Sequence, residues 1–226
     1  MADTKDLILD AAEKLFAEQG FDRTSLREIT AAAKVNLAAV NYHFQSKEAL
    51  IAAVVTRRMG PLNAARLEAL ERLENEAKGK PLGVEKILEA FLLPVLAHPD
   101  IRRFKPLMAK MYHESEARIR RNLLREVAPV AIRFGAALHR ALPGIPMREL
   151  HWRVQFAVGM MAYMLGAEAL IRTMSGEFVD PGDFKALLPR YVAFAAAGMR
   201  APVVKGRPRR VGSAPPGEED ACRVRR

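Results

Sequence analysis

The chain has 226 residues, 50% of them hydrophobic and 27% charged, with 36 Lys and Arg against 26 Asp and Glu for a net charge of +10. That balance excludes a disordered, collagen-like or coiled-coil chain and is enough for one or two compact domains. No apolar run approaches the roughly 18 residues that span a bilayer, and Asp3, Asp6 and Asp10 are unlike a secretory signal. The expectation is a cytoplasmic protein with no membrane partner.

Leu7, Ile8, Ala11, Ala12, Leu15 and Phe16 recur at helical spacing and predict a first helix from about Asp3 to Gln19, stopped at Gly20. Ser25 and Glu28 form a capping box ahead of Leu26, Ile29 and Ala33, so a second helix of about two turns follows. Lys34 and Val35 leave a tight connection, and Asn36 caps a third helix, Leu37 to His43. Ser46 caps a fourth, with Leu50, Ile51 and Val54 on its buried face, running to about Glu76 with a kink or break at Pro61.

Further helices fit 84–97, 101–127, 129–142, 147–174 and 184–199, with breaks at 98–100, 143–146 and 176–183. No segment alternates as a strand does. The chain therefore reads as all-α with about nine helices. It divides into a helix-turn-helix head at 1–46, a helical effector-binding and dimerisation domain at 47–201, and a disordered basic tail at 202–226.

Catalytic chemistry is not indicated. Cys222 is the single cysteine, and His43, His98, His113, His139 and His151 lack metal-ligand spacing. There is no glycine-rich phosphate loop and no nucleophile elbow. No metal, cofactor or enzymatic activity is expected. The positive charge is uneven, with −2 in residues 1–50, +7 in 101–140 and +4 in 201–226. A basic domain is the usual mark of a nucleic-acid binder, so phosphate contacts in an acidic head must come from individually placed residues.

Two short helices joined by a tight turn and packed on a first helix make a helix-turn-helix, whose second member enters the major groove. The order Thr24, Ser25, Leu26, Arg27, Glu28, Ile29, then Val35, then His43, Phe44, Ser46 and Lys47 strongly resembles the amino-terminal domain of TetR-family transcriptional regulators, over about Lys5 to Val55. The resemblance implies a homodimeric, ligand-responsive repressor of a double-stranded DNA operator, with an all-helical carboxy-terminal domain and an apolar small-molecule effector. It places Arg27 at the start of the second helix facing DNA, Leu37, Ala38, Ala39, Asn41 and Tyr42 on the recognition segment, and Lys47 on a phosphate. Lys34, Asn36 and His43 complete the candidate face.

Chemically, Asn41 can pair with an adenine edge, Arg27 with guanine or phosphate, and the methyls of Ala38 and Ala39 with thymine. Tyr42 and Lys47 suit phosphates, which position without specifying sequence. The family most often has glycine where Lys34 stands and tyrosine where Asn41 stands. A left-handed Lys34 costs about 1 kcal/mol, though it returns a cation to the head. Val40 and Phe44 read as core, and His43 has packing or capping as its alternative role.

Asn36 to Phe44, Trp152 to Phe156 with Gly159, and Phe194 to Arg200 resemble the PsrA-like branch of the family, which implies a long-chain fatty acid or acyl-CoA effector. Phe91, Phe104, Met108, Met111, Phe134, Phe156, Met160, Met161 and Met164 offer the adaptable apolar lining such a ligand needs. The same residues also fit an ordinary methionine-rich core. Arg102, Arg103, Lys105, Lys110, Arg118, Arg120, Arg121 and Arg125 either flank a ligand entrance or form a solvated helix face. In the resembled family the last two long helices form the dimer, which assigns Trp152, Gly159, Leu187, Tyr191 and Ala195 to the interface and makes the operator palindromic. The alternatives are a drug or aromatic-compound sensor controlling efflux, a lipid-binding helical protein without DNA, and a nonspecific DNA packager.

Overall fold

Each helix of the head begins on a side chain that satisfies its free N–H groups. In the computed structural model, which describes residues 3–98, 105–108, 111, 117–176 and 178–204, α1 spans Thr4–Gln19, α2 Leu26–Ala33 and α3 Leu37–Phe44. The Asp3 carboxylate caps α1, and the Asn36 carbonyl oxygen caps α3 by accepting from the Ala39 N–H at 2.8 Å. At α2 the capping box is reciprocal. The Glu28 N–H donates to Ser25 Oγ at 3.2 Å, and the Ser25 N–H donates to the Glu28 carboxylate at 2.7 Å. The hydrogen bonds from the Ser25 N–H and then its hydroxyl, with a contribution from Lys47, hold the Glu28 carboxyl below its ordinary pKa.

Lys34 ends α2 at φ 55°, ψ 41°, the left-handed conformation. A Cβ there is strained by about 1 kcal/mol, and glycine relieves it while losing more chain entropy on folding. Lys34→Gly is therefore expected to raise the unfolding free energy by about 0.5–1 kcal/mol in urea titrations. An unchanged or lower midpoint would show that the lysine is unstrained.

The body comprises α4 (Lys47–Ala77), α5 (Val84–Leu96), α6 (Ala117–Ala141), α7 (Met147–Gly166), α8 (Glu168–Ser175) and α9 (Phe184–Arg200), with helical backbone also at 105–108 and 111. All regular structure among the described residues is helical. α4 runs unbroken through Pro61, and α6 runs through Pro129, where the sequence predicted a boundary. Both prolines are exposed. A carbonyl left without its helical N–H is tolerable where water can reach it. The predicted helix 147–174 is two helices instead, bent by 81° after Gly166. Past the bend, Glu168 meets the buried Lys105 at 2.7 Å, and hydrogen bonds from Lys105 and then Arg172 lower its carboxyl pKa.

α4 belongs to both halves of the core. Leu50, Ile51 and Val54 are buried with Ile8, Phe16, Ile29, Val40 and Phe44 of the head, while Met59, Leu62 and Leu70 are buried with the body helices. α9 packs on α5 and α7. Arg200 at its end donates to both oxygens of Glu85, at 2.5 and 2.7 Å. That hydrogen bonding draws the Glu85 carboxyl from 4.5 down to about 2. A folded-state pKa below the unfolded one stabilises at pH above the unfolded value, and the contribution is lost as pH falls through the folded value. Arg200→Gln should therefore flatten the stability profile between about pH 4.5 and 2, by a modest amount because the pair is exposed. An identical profile in that window would remove this assignment.

Candidate functional site

The head core fixes which face of α3 is turned outward. Phe16 lies 5.2 Å from Phe21 between ring centroids, and both are buried with Ile29, Val40 and Phe44. Thr24, also buried, ties the α1–α2 link by donating to the carbonyls of Gly20 at 2.8 Å and Leu15 at 3.3 Å. The turn is closed by the Val35 N–H on the Thr30 carbonyl at 3.1 Å. With Val40 and Phe44 inward, Leu37, Ala38, Asn41 and Tyr42 stand exposed at i, i+1, i+4 and i+5, a single helical stripe in which Tyr42 is 84% exposed.

Arg27 of α2 and Lys34, its C-cap, are exposed. Ala39 and His43 are half-buried at the edge of the α3 stripe, and the His43 ring packs edge-on against Tyr42 at 5.1 Å and near Phe44 at 6.1 Å. Asn36 spends its carbonyl oxygen on the cap, which leaves its amide N–H groups outward. Lys47 donates one bond to the Asp22 carbonyl at 3.2 Å, and an ammonium has two further donors. Together these groups offer an amide that can pair with a base edge, a methyl and an isobutyl group for thymine, and cations and a phenol for phosphates.

In the body, Met108, Phe134 and Met161 are buried, and Phe91, Met111, Met160 and Met164 are half-buried. Phe91 and Phe134 meet edge to face at 5.4 Å. Phe104 lies outside the described residues, as do Arg102, Arg103, Lys110 and the side chain of Arg118. Lys105 is turned inward to Glu168, whereas Arg120, Arg121 and Arg125 are exposed along α6. The basic tail beyond Val204 is likewise outside the description.

Sequence reasoning missed the polar residues at the centre of this region. Arg66, 3% exposed, donates to the Phe91 carbonyl at 2.9 Å and to the Asn63 side-chain oxygen at 3.1 Å, lies 4.1 Å over the Phe91 ring, and reaches Met161 sulfur at 4.0 Å. A signal was available, because Asn63 and Arg66 share a helical stripe with Met59, Leu62 and Leu70. Two described clefts lie elsewhere. One of about 990 Å³ runs between α1, α2 and Pro106, and one of about 500 Å³ lies beside Glu74, Lys80, Arg133 and Arg140.

The expected interface residues divide between two faces. α7 and α9 pack side by side through Tyr191 Oη donating to the Ala157 carbonyl at 2.7 Å and Arg153 donating to the Met199 carbonyl at 2.6 Å. Tyr191 and Ala195 are therefore buried within the chain, and Leu187 is half-buried. Phe156, expected at the pocket, faces out instead at 67% exposure, stacked at 6.0 Å on Trp152, itself 56% exposed. Gly159 and Tyr163 continue that stripe of α7, and Phe194 of α9 is 73% exposed.

Comparison with known proteins agrees with this architecture. The model for bacterial regulatory proteins of the tetR family matches residues 8–54, and that for the tetracyclin repressor-like C-terminal domain matches 89–198. The HTH-type transcriptional regulator AcrR of Shigella flexneri is 34% identical over 116 residues, which is 50% of this chain and 50% of AcrR. The match thus spans only half the length of that relative. An HTH-type regulator of Mycobacterium tuberculosis is 27% identical over 179 residues, 78% of this chain and 83% of its own. Among solved structures, the fatty acid degradation regulator FadR from Bacillus halodurans superposes with a TM-score of 0.62 at 15% identity, covering 88% of this chain and 98% of that one. FadR from Bacillus subtilis in complex with stearoyl-CoA gives 0.55 at 17% identity, covering 85% and 98%. At these identities the structures establish the fold alone, whereas the two family models lie on the head and on the body in the order the helices require. The chain belongs to the TetR family of transcriptional regulators.

Proposed function

We propose that the chain is a homodimeric, effector-responsive repressor whose two α3 helices read a palindromic operator, and that its effector is a long-chain fatty acid or acyl-CoA. The observation that carries the DNA reading is the exposed stripe of Leu37, Ala38, Asn41 and Tyr42, held outward by the buried Val40 and Phe44. Arg27, Lys34, Tyr42 and Lys47 supply the phosphate contacts, and residues 1–46, with Lys47 at the start of α4, form the DNA-binding unit.

The effector reading is supported by the Met and Phe side chains around Phe91, Phe134 and Met161, since unbranched thioethers adapt to a long acyl chain. The stearoyl-CoA bound to the fold-related FadR of Bacillus subtilis is consistent with it. Effector binding lowers operator affinity only when it prefers the conformation that fits DNA less well. Fluorescence anisotropy on an operator selected from genomic DNA tests this. Stearoyl-CoA or stearate should raise the operator Kd at least about tenfold, which corresponds to roughly 1.4 kcal/mol of differential binding. A response to planar aromatic cations alone would instead favour the efflux-sensor alternative.

The dimer is assigned to the outer faces of α7 and α9, where Trp152, Phe156, Gly159, Tyr163 and Phe194 stand exposed. Phe156→Arg places a charge at the centre of that face and leaves the chain's own core untouched. It should give a folded monomer in sedimentation equilibrium and weaken operator binding by about 100-fold or more, because one head alone makes half the contacts. A dimer that persists at micromolar concentration would move the interface elsewhere.

A further inference from the structure

α4 has a weak point between head and body, and one residue of α6 is bonded to both sides of it. Pro61 has no N–H, so the carbonyl of Arg57 lacks its helical bond, and Gly60 before it has open space where a side chain would stand. Such a pair is where a long helix bends most readily. On the head side, Arg57 binds Asp10 at 2.8 Å and Arg58 binds Glu13 at 2.7 Å, so that turn is fixed to α1. On the body side, Leu62, Asn63, Arg66 and Leu70 are buried, and Arg66 bonds α5 through the Phe91 carbonyl. Glu126 of α6 touches both. Its carboxylate accepts from Thr56 Oγ1 at 2.7 Å, and its backbone carbonyl accepts from Asn63 Nδ2 at 2.8 Å. Thr56 and Asn63 are about two helical turns apart with Gly60 and Pro61 between them.

We propose that Glu126 is a positioning residue, a brace across the Gly60–Pro61 joint that fixes the angle at which the body carries the head. Through Asn63 the brace continues to Arg66 and to the Phe91 and Phe134 rings. Its use as a line from effector to DNA rests on the function proposed above, but the brace itself requires neither ligand nor operator.

The test uses the full chain without either of them. Spin labels are placed at the exposed Arg23 of the head and Arg148 of the body, in a Cys222→Ser background diluted with unlabelled chain so that only distances within one protomer are read. The unaltered brace gives a single narrow distance distribution. Glu126→Ala should at least double its width, and Thr56→Val, which removes the same bond from the other helix, should do likewise. Glu126→Gln keeps an acceptor for Thr56 and should stay narrow. Adding Pro61→Ala to Glu126→Ala restores the helical N–H at the joint and should narrow the distribution again, with melting curves confirming that all variants are folded. An unchanged width in Glu126→Ala or Thr56→Val, or no narrowing by Pro61→Ala, would overturn the brace. Because neither DNA nor effector is present, that failure is separate from any failure of the repressor reading.

Discussion

Phe16→Ala is expected to destabilise the head by about 3–5 kcal/mol, the cost of emptying a fully buried aromatic site whose walls cannot collapse. Phe16 has no exposed surface, and its ring lies against Phe21 at the point where α1 supports α2 and α3. The head is small, and Ile8, Ile29, Val40 and Phe44 cannot replace the lost contacts. α3 should then lose its fixed orientation, and operator binding should fail at temperatures where the body helices remain. Urea unfolding followed by circular dichroism, paired with anisotropy on the operator, reads both. A loss below about 1 kcal/mol would mean that the site repacks and is not the keystone of the head.

Arg58→Met should cost about 3–5 kcal/mol for a different reason. Glu13 is 2% exposed, and Arg58 Nε donates to it at 2.7 Å across the α1–α4 contact. Removing the guanidinium leaves a desolvated carboxylate without that partner, whereas replacing both by apolar groups is often close to neutral. Glu13→Leu with Arg58→Met should therefore recover to within about 1 kcal/mol of the unaltered chain. The doubly substituted protein also separates stability from posture. Its head keeps the Arg57–Asp10 ion pair beside the Gly60–Pro61 joint but loses the Arg58–Glu13 pair, so a wider spread in head orientation is expected even at full stability. A double-mutant cycle with no coupling would show that the two charges are independently satisfied.

The starts of the helices were legible because caps are local. Ser25 with Glu28, Asn36 and Ser46 each act within three residues, and all three caps form. The left-handed Lys34 was expected from the glycine that the resembled family most often has there, and the turn takes that conformation. The run of α4 past Pro61 was legible, but the absence of a break there and the continuity of α6 through Pro129 were not. A helix survives an interior proline when the freed carbonyl faces water, and exposure is decided by packing between distant elements.

On α7, Phe156 was expected at the pocket and stands outside, for a related reason. The stripe Leu150, Arg153, Ala157, Met161 and Leu165 is buried although it contains a charge, and the stripe Trp152, Phe156 and Tyr163 is exposed although it is aromatic. Arg153 tolerates burial because Glu149 at 3.0 Å and the Met199 carbonyl at 2.6 Å receive it. Hydropathy ranks those stripes in the opposite order, and only the position of α9 resolves it. Arg66 escaped notice in the same way, as a cation on an otherwise apolar face whose partners come from α4, α5 and α7.

The central claim is that the outward stripe of α3 touches base edges, and parallel selections from genomic DNA at one fixed salt concentration test it most directly. The full chain should enrich a palindrome with half-site centres about 10–10.5 base pairs apart, or a multiple of that. Asn41→Ala should relax the preference at one symmetric pair of positions, at a cost of about 1–3 kcal/mol on the original operator. Tyr42→Ala should instead weaken recovery of all sequences evenly, as a phosphate contact does. Selections in which Asn41→Ala and Tyr42→Ala recover the same motif at the same yield as the unaltered chain, or in which no motif emerges, would contradict the assignment of this face to DNA.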